Sequence, residues 1–286
     1  MTARWLRLVV PVVVLVVLWH VADGPGAVVR LRGADSLWLA LATMAVLAQT
    51  GLSALRWQRV ARAMRLNLPL GHAVTEYFVA QVVNQTLPGG IPGDAARAIR
   101  SRGQGGLRLA TGTVVVERLA GQLALFALLI PAIALSLAFG RIDWPAFAGW
   151  ALATGIALAA ITLSRPLPAW AAPLRVLRAP GVWPGQVALG TAIVLLNLAG
   201  FACAARATGT PLSPEAMATL VPLILTAMLV PLSVGGWGWR EGAAAALFPL
   251  AGATPAAGLA ASAAFGAVVL LAALPGLFWL KRNTAS

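Results

Sequence analysis

Six charged residues stand inside or beside sequence that is otherwise apolar: Asp94, Arg97, Glu117, Arg118, Arg240 and Glu241. Arginines and carboxylates placed this way either neutralise one another as structural pins or present guanidinium forks to a phosphate. A charge at mid-bilayer costs roughly 2.5–3.5 kcal/mol on the insertion scale. Leaving Glu117, Arg118, Arg240 and Glu241 unpaired would then cost on the order of 10–14 kcal/mol. A typical domain is stable by only about 5–15 kcal/mol, so these groups must be paired or wetted by a cavity. Sequence neighbours point about 100° apart on a helix. Glu117 is therefore expected to find a partner other than Arg118, and Arg240 one other than Glu241. Asp94 and Arg97 have the spacing to pair locally. The six formal charges cancel, and the expectation is one interlocked cluster.

Two stretches carry most of these residues. One is Asn84-Gln-Thr-Leu-Pro-Gly-Gly-Ile-Pro-Gly-Asp-Ala-Ala-Arg97; the other is Pro231-Leu-Ser-Val-Gly-Gly-Trp-Gly-Trp-Arg-Glu-Gly242. Each follows hydrophobic sequence, loses its helix at a Pro/Gly cluster, and restarts with an acid and an arginine. Polar backbone at membrane depth survives only when buried in protein or lining a cavity. A pair of Gly/Pro-interrupted segments in the two halves of a chain points to a transporter-like binding site. The candidate substrate-binding residues of the first stretch are Asn84, Pro88, Gly89, Gly93, Asp94 and Arg97. Glu117 and Arg118 join them, and the second stretch adds Ser233, Gly235, Gly236, Gly238, Arg240 and Glu241. Gly93-Asp94 and Gly238–Glu241 read as starts of half-helices, whose free N–H groups attract phosphate. Asp94 could instead cap its own helix.

The elements that position these residues follow from composition. Hydrophobic residues make up 60% of the 286 and charged residues 10%, far below the roughly 25% of a soluble domain. Several apolar runs reach the about 20 residues a transmembrane helix needs. Cys203 stands alone and the histidines are His20 and His72, so neither a disulfide framework nor a Cys/His zinc cluster is expected. No cofactor and no metal are called for. The net charge of +13 would suggest nucleic acid in a soluble protein. Here the basic residues gather at span ends, so anionic lipid headgroups are the expected partner and nucleic acid is not.

Leu6 to Val21 reads as a retained first span, since Ala22-Asp-Gly-Pro is a turn and not a cleavage site. Further spans are expected at 36–57, 108–139, 144–164, 183–205 and 256–280, with 108–139 long enough to tilt, project into water or bend near Pro131. Segments 71–106 and 212–252 hold the broken stretches. Arg56, Arg59, Arg62 and Arg65 precede the first of them, and Arg97, Arg100, Arg102 and Arg108 follow its tip. By the positive-inside rule both ends are cytoplasmic, so the segment dips in and returns. Arg165, Arg175, Arg178, Lys281 and Arg282 also fall inside, whereas the loops at 22–35, 140–143 and 206–214 fall outside. The second broken segment then enters from the opposite face. The expected fold is an all-α polytopic membrane protein with six full spans and two re-entrant half-helix hairpins in inverted pseudo-symmetry. It forms one integral membrane domain over 1–286, without a soluble catalytic domain and with both termini cytoplasmic. The alternative is that both broken segments simply cross.

Rival chemistries find little support. Gly236-x-Gly238-x-x-x-Gly242 does not have dinucleotide-binding spacing, and Ser233 has no nearby histidine partner in sequence. Asp94-Ala-Ala-Arg97 is similar to a fragment of the CDP-alcohol phosphotransferase signature. The further aspartates of that metal site do not follow, the next acid being Glu117.

The motifs together resemble the flippase-like membrane domain of bacterial lysylphosphatidylglycerol synthases, the multiple peptide resistance factor. The resemblance rests on Leu55-Arg-Trp57, Asn84-x-x-Leu-Pro-Gly-x-x-x-Gly-Asp-x-x-Arg97, Val116-Glu-Arg-Leu119 and Pro231-x-Ser-x-Gly-Gly-x-Gly-x-Arg-Glu241, in that order over most of the chain. Pro92 departs from the pattern by stiffening the first loop. The resemblance implies a non-enzymatic role: translocation of a phospholipid or glycolipid with an anionic or zwitterionic headgroup between leaflets of the bacterial cytoplasmic membrane. Alternatives are a lipid-binding or scaffold subunit of a synthesis pathway and, further off, an intramembrane lipid-modifying enzyme. Association as a homodimer, or with a partner lipid-synthesis enzyme, is left open.

Overall fold

The computed structural model describes residues 2–87, 90–140, 142–146, 148–149, 153–154, 174–177, 179, 181–229 and 234–284. Among the described residues the regular structure is helical: α1 (Thr2–Val21), α2 (Gly24–Arg32), α3 (Ser36–Ala63), α4 (Leu70–Thr86), α5 (Pro92–Arg100) and α6 (Gly106–Phe139). After the largely undescribed stretch follow α7 (Trp183–Ala207), α8 (Pro214–Thr226), α9 (Trp239–Leu247), α10 (Pro255–Ala273) and α11 (Pro275–Thr284).

Local sequence sets the helix starts. Asp35 accepts from the Leu37 N–H at 2.8 Å to begin α3. Ser213 and Thr254 cap α8 and α10 through the N–H groups of Ala216 and Ala257, each followed by a proline that suits the first helical position. Asp23 accepts from the Gly26 N–H at 3.1 Å and starts α2. This corrects the sequence expectation for 22–35. The stretch is a helix, not a loop, because Asp23 caps and Pro25 preorganises it. The axes of Val12–Val21 and Gly24–Arg32 differ by 92°.

Four described helices are long and apolar enough to cross a membrane: α3, α6, α7 and the combined run Pro255–Leu280. The bent pair of α1 and α2 would make a fifth. The expected span at 144–164 lies mostly outside the described residues. Helix α6 is continuous through Pro131 over 34 residues, about 51 Å at 1.5 Å per residue. That exceeds the roughly 30 Å hydrocarbon core. Val9, Val12, Val13, Val16 and Val17 form an exposed apolar face on α1, as lipid contact requires. The chain is a multi-pass membrane protein.

The core lies where α3 packs on α7 and α10 packs on α7 and α9. Phe201 sits at its centre, 5.2 Å from Phe265 and 6.4 Å from Phe248 between ring centroids. A second apolar cluster, including Trp57, Ala61, Ala73, Ala98 and Val114, ties α3, α4, α5 and α6 together. Helices α4 and α5 pack on each other as a hairpin, and α8 and α9 do the same. In the first segment α4 is 17 residues and α5 is 9. These two hairpins hold the charged stretches.

Candidate functional site

The first hairpin turns on a side-chain cap. Asn84, in the last turn of α4, accepts from the Gly93 N–H at 2.8 Å. Glycine is required there because a Cβ on residue 93 would run into the Ala80 carbonyl and the Asn84 amide. The Gly93 N–H, expected to be free for phosphate, is thus already used. Asp94 does not cap α5. Its Oδ1 lies 3.0 Å from Arg97 Nε, an ion pair without hydrogen-bond alignment, and its Oδ2 lies 2.5 Å from Arg118 Nη2.

Glu117 anchors the hairpin to α6. Arg56 of α3 donates to Glu117 Oε1 from Nη2 at 2.6 Å and from Nε at 3.2 Å. Tyr77 of α4 donates its hydroxyl to the same oxygen at 3.2 Å, and Arg97 Nη2 donates to Oε2 at 2.9 Å. The Arg97 guanidinium also lies 4.7 Å from the Trp57 ring centroid and 4.6 Å from that of Tyr77, within cation–π range. Trp57 is held in turn by its Nε1 donating to Thr113 at 3.1 Å. Glu117 therefore has partners other than Arg118, as charge and helix geometry demand. Another acid in apolar sequence, Glu76, accepts from Arg100 Nε at 2.5 Å and pins α5 to α4.

The second hairpin has its own charge pair. Arg240 donates to Glu241 Oε1 from Nη2 at 2.6 Å, and Ser262 of α10 bonds to both side chains at 3.0 Å. Glu241 Oε2 also accepts from the Gly238 N–H at 2.7 Å, closing the start of α9. Two expectations are corrected here. Arg240 and Glu241 do pair, because in a first helical turn the glutamate folds back onto its own N-terminus and the long arginine arm follows it. The N–H of Gly238 is consequently spoken for. The six charges also form two clusters and not one. Asp94, Arg97, Glu117 and Arg118 gather with Arg56, while Arg240 and Glu241 are buried against Ser262, Trp237 and Phe265.

Between the hairpins lies a cavity of about 660 Å³. Gly90, Ile91, Asp94 and Arg97 line it from the first hairpin, Val114, Val115, Arg118 and Leu119 from α6, and Gly235 and Gly236 from the second hairpin. Gly235 and Gly236 have φ of +56° and +82°, backbone that glycine adopts readily. A Cβ at 235 would fall on the Gln85 amide oxygen, so the two hairpins touch at this point. The remaining wall is polar: Gln49 and Thr50 of α3, Gln81, Asn84 and Gln85 of α4, and Asn197 of α7. Arg118 keeps 48% of its side chain exposed, and the buried Arg97 Nη1 has no hydrogen-bond partner.

Of the residues singled out from sequence, Asn84, Asp94, Arg97, Arg118, Gly235 and Gly236 line the cavity. Gly93 and Glu117 support it from behind. Gly238, Arg240 and Glu241 are buried beside it, and Pro88, Gly89 and Ser233 lie outside the described residues. Sequence reasoning used Arg56 and Trp57 for orientation and resemblance but gave them no place in the site, and it passed over Tyr77 and, apart from Asn84, the amide wall. The signal was available: Gln49, Ser53 and Arg56 on α3, and Tyr77, Gln81 and Asn84 on α4, recur at the spacing of one helical face.

No curated protein and no solved structure matches the chain. Residues 4–276 match the family described as the lysylphosphatidylglycerol synthase TM region, and with that match over most of its length this multi-pass membrane protein belongs to that family.

Proposed function

We propose that the chain translocates a phospholipid or glycolipid between the leaflets of a bacterial cytoplasmic membrane, without catalysing a covalent step. The observation that carries this reading is the cavity between the two hairpins, lined by the buried Arg97 and the half-exposed Arg118 where a headgroup would sit. Family membership points the same way, since the family is named for a lipid synthase's membrane region. Both hairpins are re-entrant in this reading, the first from the cytoplasmic face and the second from the opposite one, with both termini cytoplasmic.

The headgroup meets Arg97 and Arg118 through charge-assisted hydrogen bonds, while Asp94 and Glu117 hold those arginines in place. Acyl chains stay in the bilayer and enter sideways, because extracting them costs about 0.8 kcal/mol per CH₂. Movement of the tips around the headgroup exposes the cavity to one leaflet and then the other. Asp94 in the cavity wall and Glu117 behind it are each engaged by two arginines, which favours binding over acid–base catalysis.

The test is leaflet exchange of labelled lipids in vesicles containing the purified chain. Wild-type protein is expected to accelerate exchange, and Arg118→Ala, shown to be folded by monodisperse elution and unchanged helical circular dichroism, to abolish it. Equal rates in wild-type, Arg118→Ala and protein-free vesicles overturn translocation and leave a lipid-binding or scaffold subunit.

A further inference from the structure

We infer that the chain carries a second lipid site, apart from the cavity between the hairpins: a pocket at the end of α3 that holds the phosphate of an anionic phospholipid resident in the adjoining leaflet. The inference needs only a multi-pass membrane protein and does not rest on translocation.

A cavity of about 620 Å³ opens where α3 ends and the chain turns toward α4. Gln58 and Arg62, four residues apart on α3, share one helical face, and both line this cavity together with Arg65 and Asn67. From Gln58 to Leu70 the chain has three arginines and no acid. Arg62 and Arg65 are exposed, and neither side chain has an ion pair or hydrogen bond among the described residues. Gln58 is only 8% exposed. Its amide nevertheless hydrogen-bonds to nothing among the described residues, and it borders the pocket. A polar group this buried calls for a partner, and the pocket is the side from which one can come.

The backbone of Arg65 points the same way. Its φ is +62°. The Leu66 N–H donates to the Ala61 carbonyl at 2.8 Å and the Arg65 N–H to the Arg62 carbonyl at 3.0 Å. These are the bonds that close a helix around a left-handed residue, which is usually glycine. A Cβ is disfavoured in that conformation. An arginine held there against local preference is the kind of outlier that accompanies a functional side chain.

Depth identifies the ligand. The span carried by α3 is expected to end near Trp57, and Arg62 lies five residues further on, about 7.5 Å along a helix. The headgroup layer is roughly 5–8 Å deep on each side of the hydrocarbon core, so the two guanidinium groups stand at phosphate level. Leu70, 45% exposed, borders the same pocket and offers apolar surface beside them. Guanidinium forks bind phosphate by charge-assisted hydrogen bonds, and the Gln58 amide adds a donor. A zwitterionic headgroup brings an ammonium that finds no carboxylate in this lining. Arginines at a span end attract anionic lipid diffusely, whereas a cupped pocket with a buried amide makes one saturable site. Leu66 and Leu68, which also line it, belong to the apolar cluster with Trp57 and Ala73. A bound phosphate therefore ties the end of α3 to the connection into α4 and braces the base of the first hairpin.

The test uses the purified full chain in detergent, with Asn67→Cys in a Cys203→Ser background, and reads how fast a soluble maleimide modifies the new thiol. Dihexanoyl phosphatidylglycerol, kept below its micelle concentration, is expected to slow modification at least about threefold with a saturable midpoint. Dihexanoyl phosphatidylcholine, inorganic phosphate and a hexaglutamate peptide are expected not to. Gln58→Leu, Arg62→Gln and Arg65→Gly should each raise the midpoint at least about fivefold, while Arg118→Gln, in the other cavity, leaves it unchanged. Arg65→Gly should also unfold at the same or a higher temperature than its parent, because glycine suits the left-handed position. Monodisperse elution and unchanged helical circular dichroism establish that each variant is folded. Protection that does not saturate, that phosphatidylcholine matches, or that survives all three pocket variants overturns the site. Equal protection by inorganic phosphate or by the peptide overturns the lipid as its occupant. A midpoint moved by Arg118→Gln places the ligand in the other cavity and overturns it too. Loss of leaflet exchange in the vesicle experiment leaves this inference intact, and loss of protection here leaves translocation intact.

Discussion

Gln85 and Gly235 touch across the gap between the two hairpins: a Cβ on Gly235 would fall on the Gln85 amide oxygen and lie 3.4 Å from the Gln85 Cα. Cysteines at 85 and 235, in a Cys203→Ser background, should therefore form a disulfide under mild oxidant, since bridged Cβ atoms lie about 3.5–4.5 Å apart. A mobility shift on non-reducing gels reports it. Absence of a crosslink in folded protein would separate the tips. If translocation requires tip movement, the crosslinked form should also lose leaflet exchange and regain it on reduction.

Glu117 carries more of the assembly than Asp94. Glu117→Gln strands the buried Arg56 and leaves Arg97 only its ion pair with Asp94, and removing one member of a buried pair costs about 3–5 kcal/mol. Asp94→Asn leaves Arg97 on Glu117 and releases an Arg118 that already reaches solvent or headgroups, so its loss should be smaller. Unfolding midpoints in detergent decide the order. Equal shifts for the two variants would contradict the division drawn here.

Arg240 and Glu241 act as a unit that pins α9 to α10 through Ser262. Each single change, Arg240→Met or Glu241→Leu, should cost about 3–5 kcal/mol because it leaves the other group buried and uncompensated. The double change should cost less than the sum of the singles, a coupling that a double-mutant cycle measures. Strict additivity would mean that the two charges do not depend on one another.

The turn of the first hairpin should be sensitive at both partners of its cap. Asn84→Ala removes the acceptor of the Gly93 N–H, an N-terminal capping loss of about 0.5–2 kcal/mol. Gly93→Ala pushes a methyl into the Ala80 carbonyl, and overpacking of this kind costs about 1–3 kcal/mol. Thermal unfolding ranks them, with Gly93→Ala expected to be at least as damaging.

Re-entrance of the first hairpin has a direct topological reading. Asn67 and Arg102 are exposed and flank its two ends. Cysteines at those positions, again with Cys203→Ser, should label from the same face of the membrane with an impermeant maleimide. Labelling from opposite faces shows that the segment crosses.

Much of this arrangement was legible as helix rhythm and punctuation. The Pro/Gly clusters marked both hairpin turns, and the cost of membrane-buried charge required Glu117 to have a distant partner, which it has. The identity of that partner was hidden because Arg56 lies in a run with Arg59, Arg62 and Arg65 that reads as an orientation signal. Only tertiary packing shows that Arg56 turns inward to Glu117. Arg240 and Glu241 misled in the opposite direction. Helical spacing forbids a neighbouring pair in a regular interior, but Glu241 sits in the first turn and folds back to the Gly238 N–H. The short helix α2 depends on the single Asp23 cap, a signal easily taken for a turn.

The Arg56–Glu117 pair also bears on how the chain is made. Its members are 61 residues apart, so α3 is synthesised with its arginine well before the carboxylate on α6 exists. Until then Arg56 has no acid to neutralise it at depth, and its long side chain can only reach for the headgroup region, as arginines near helix ends do. Arrival of α6 supplies the counter-charge that lets Arg56, Arg97 and Tyr77 converge, making closure of the polar site a late event in biogenesis and α6 the segment whose delayed insertion would leave the earlier helices unassembled.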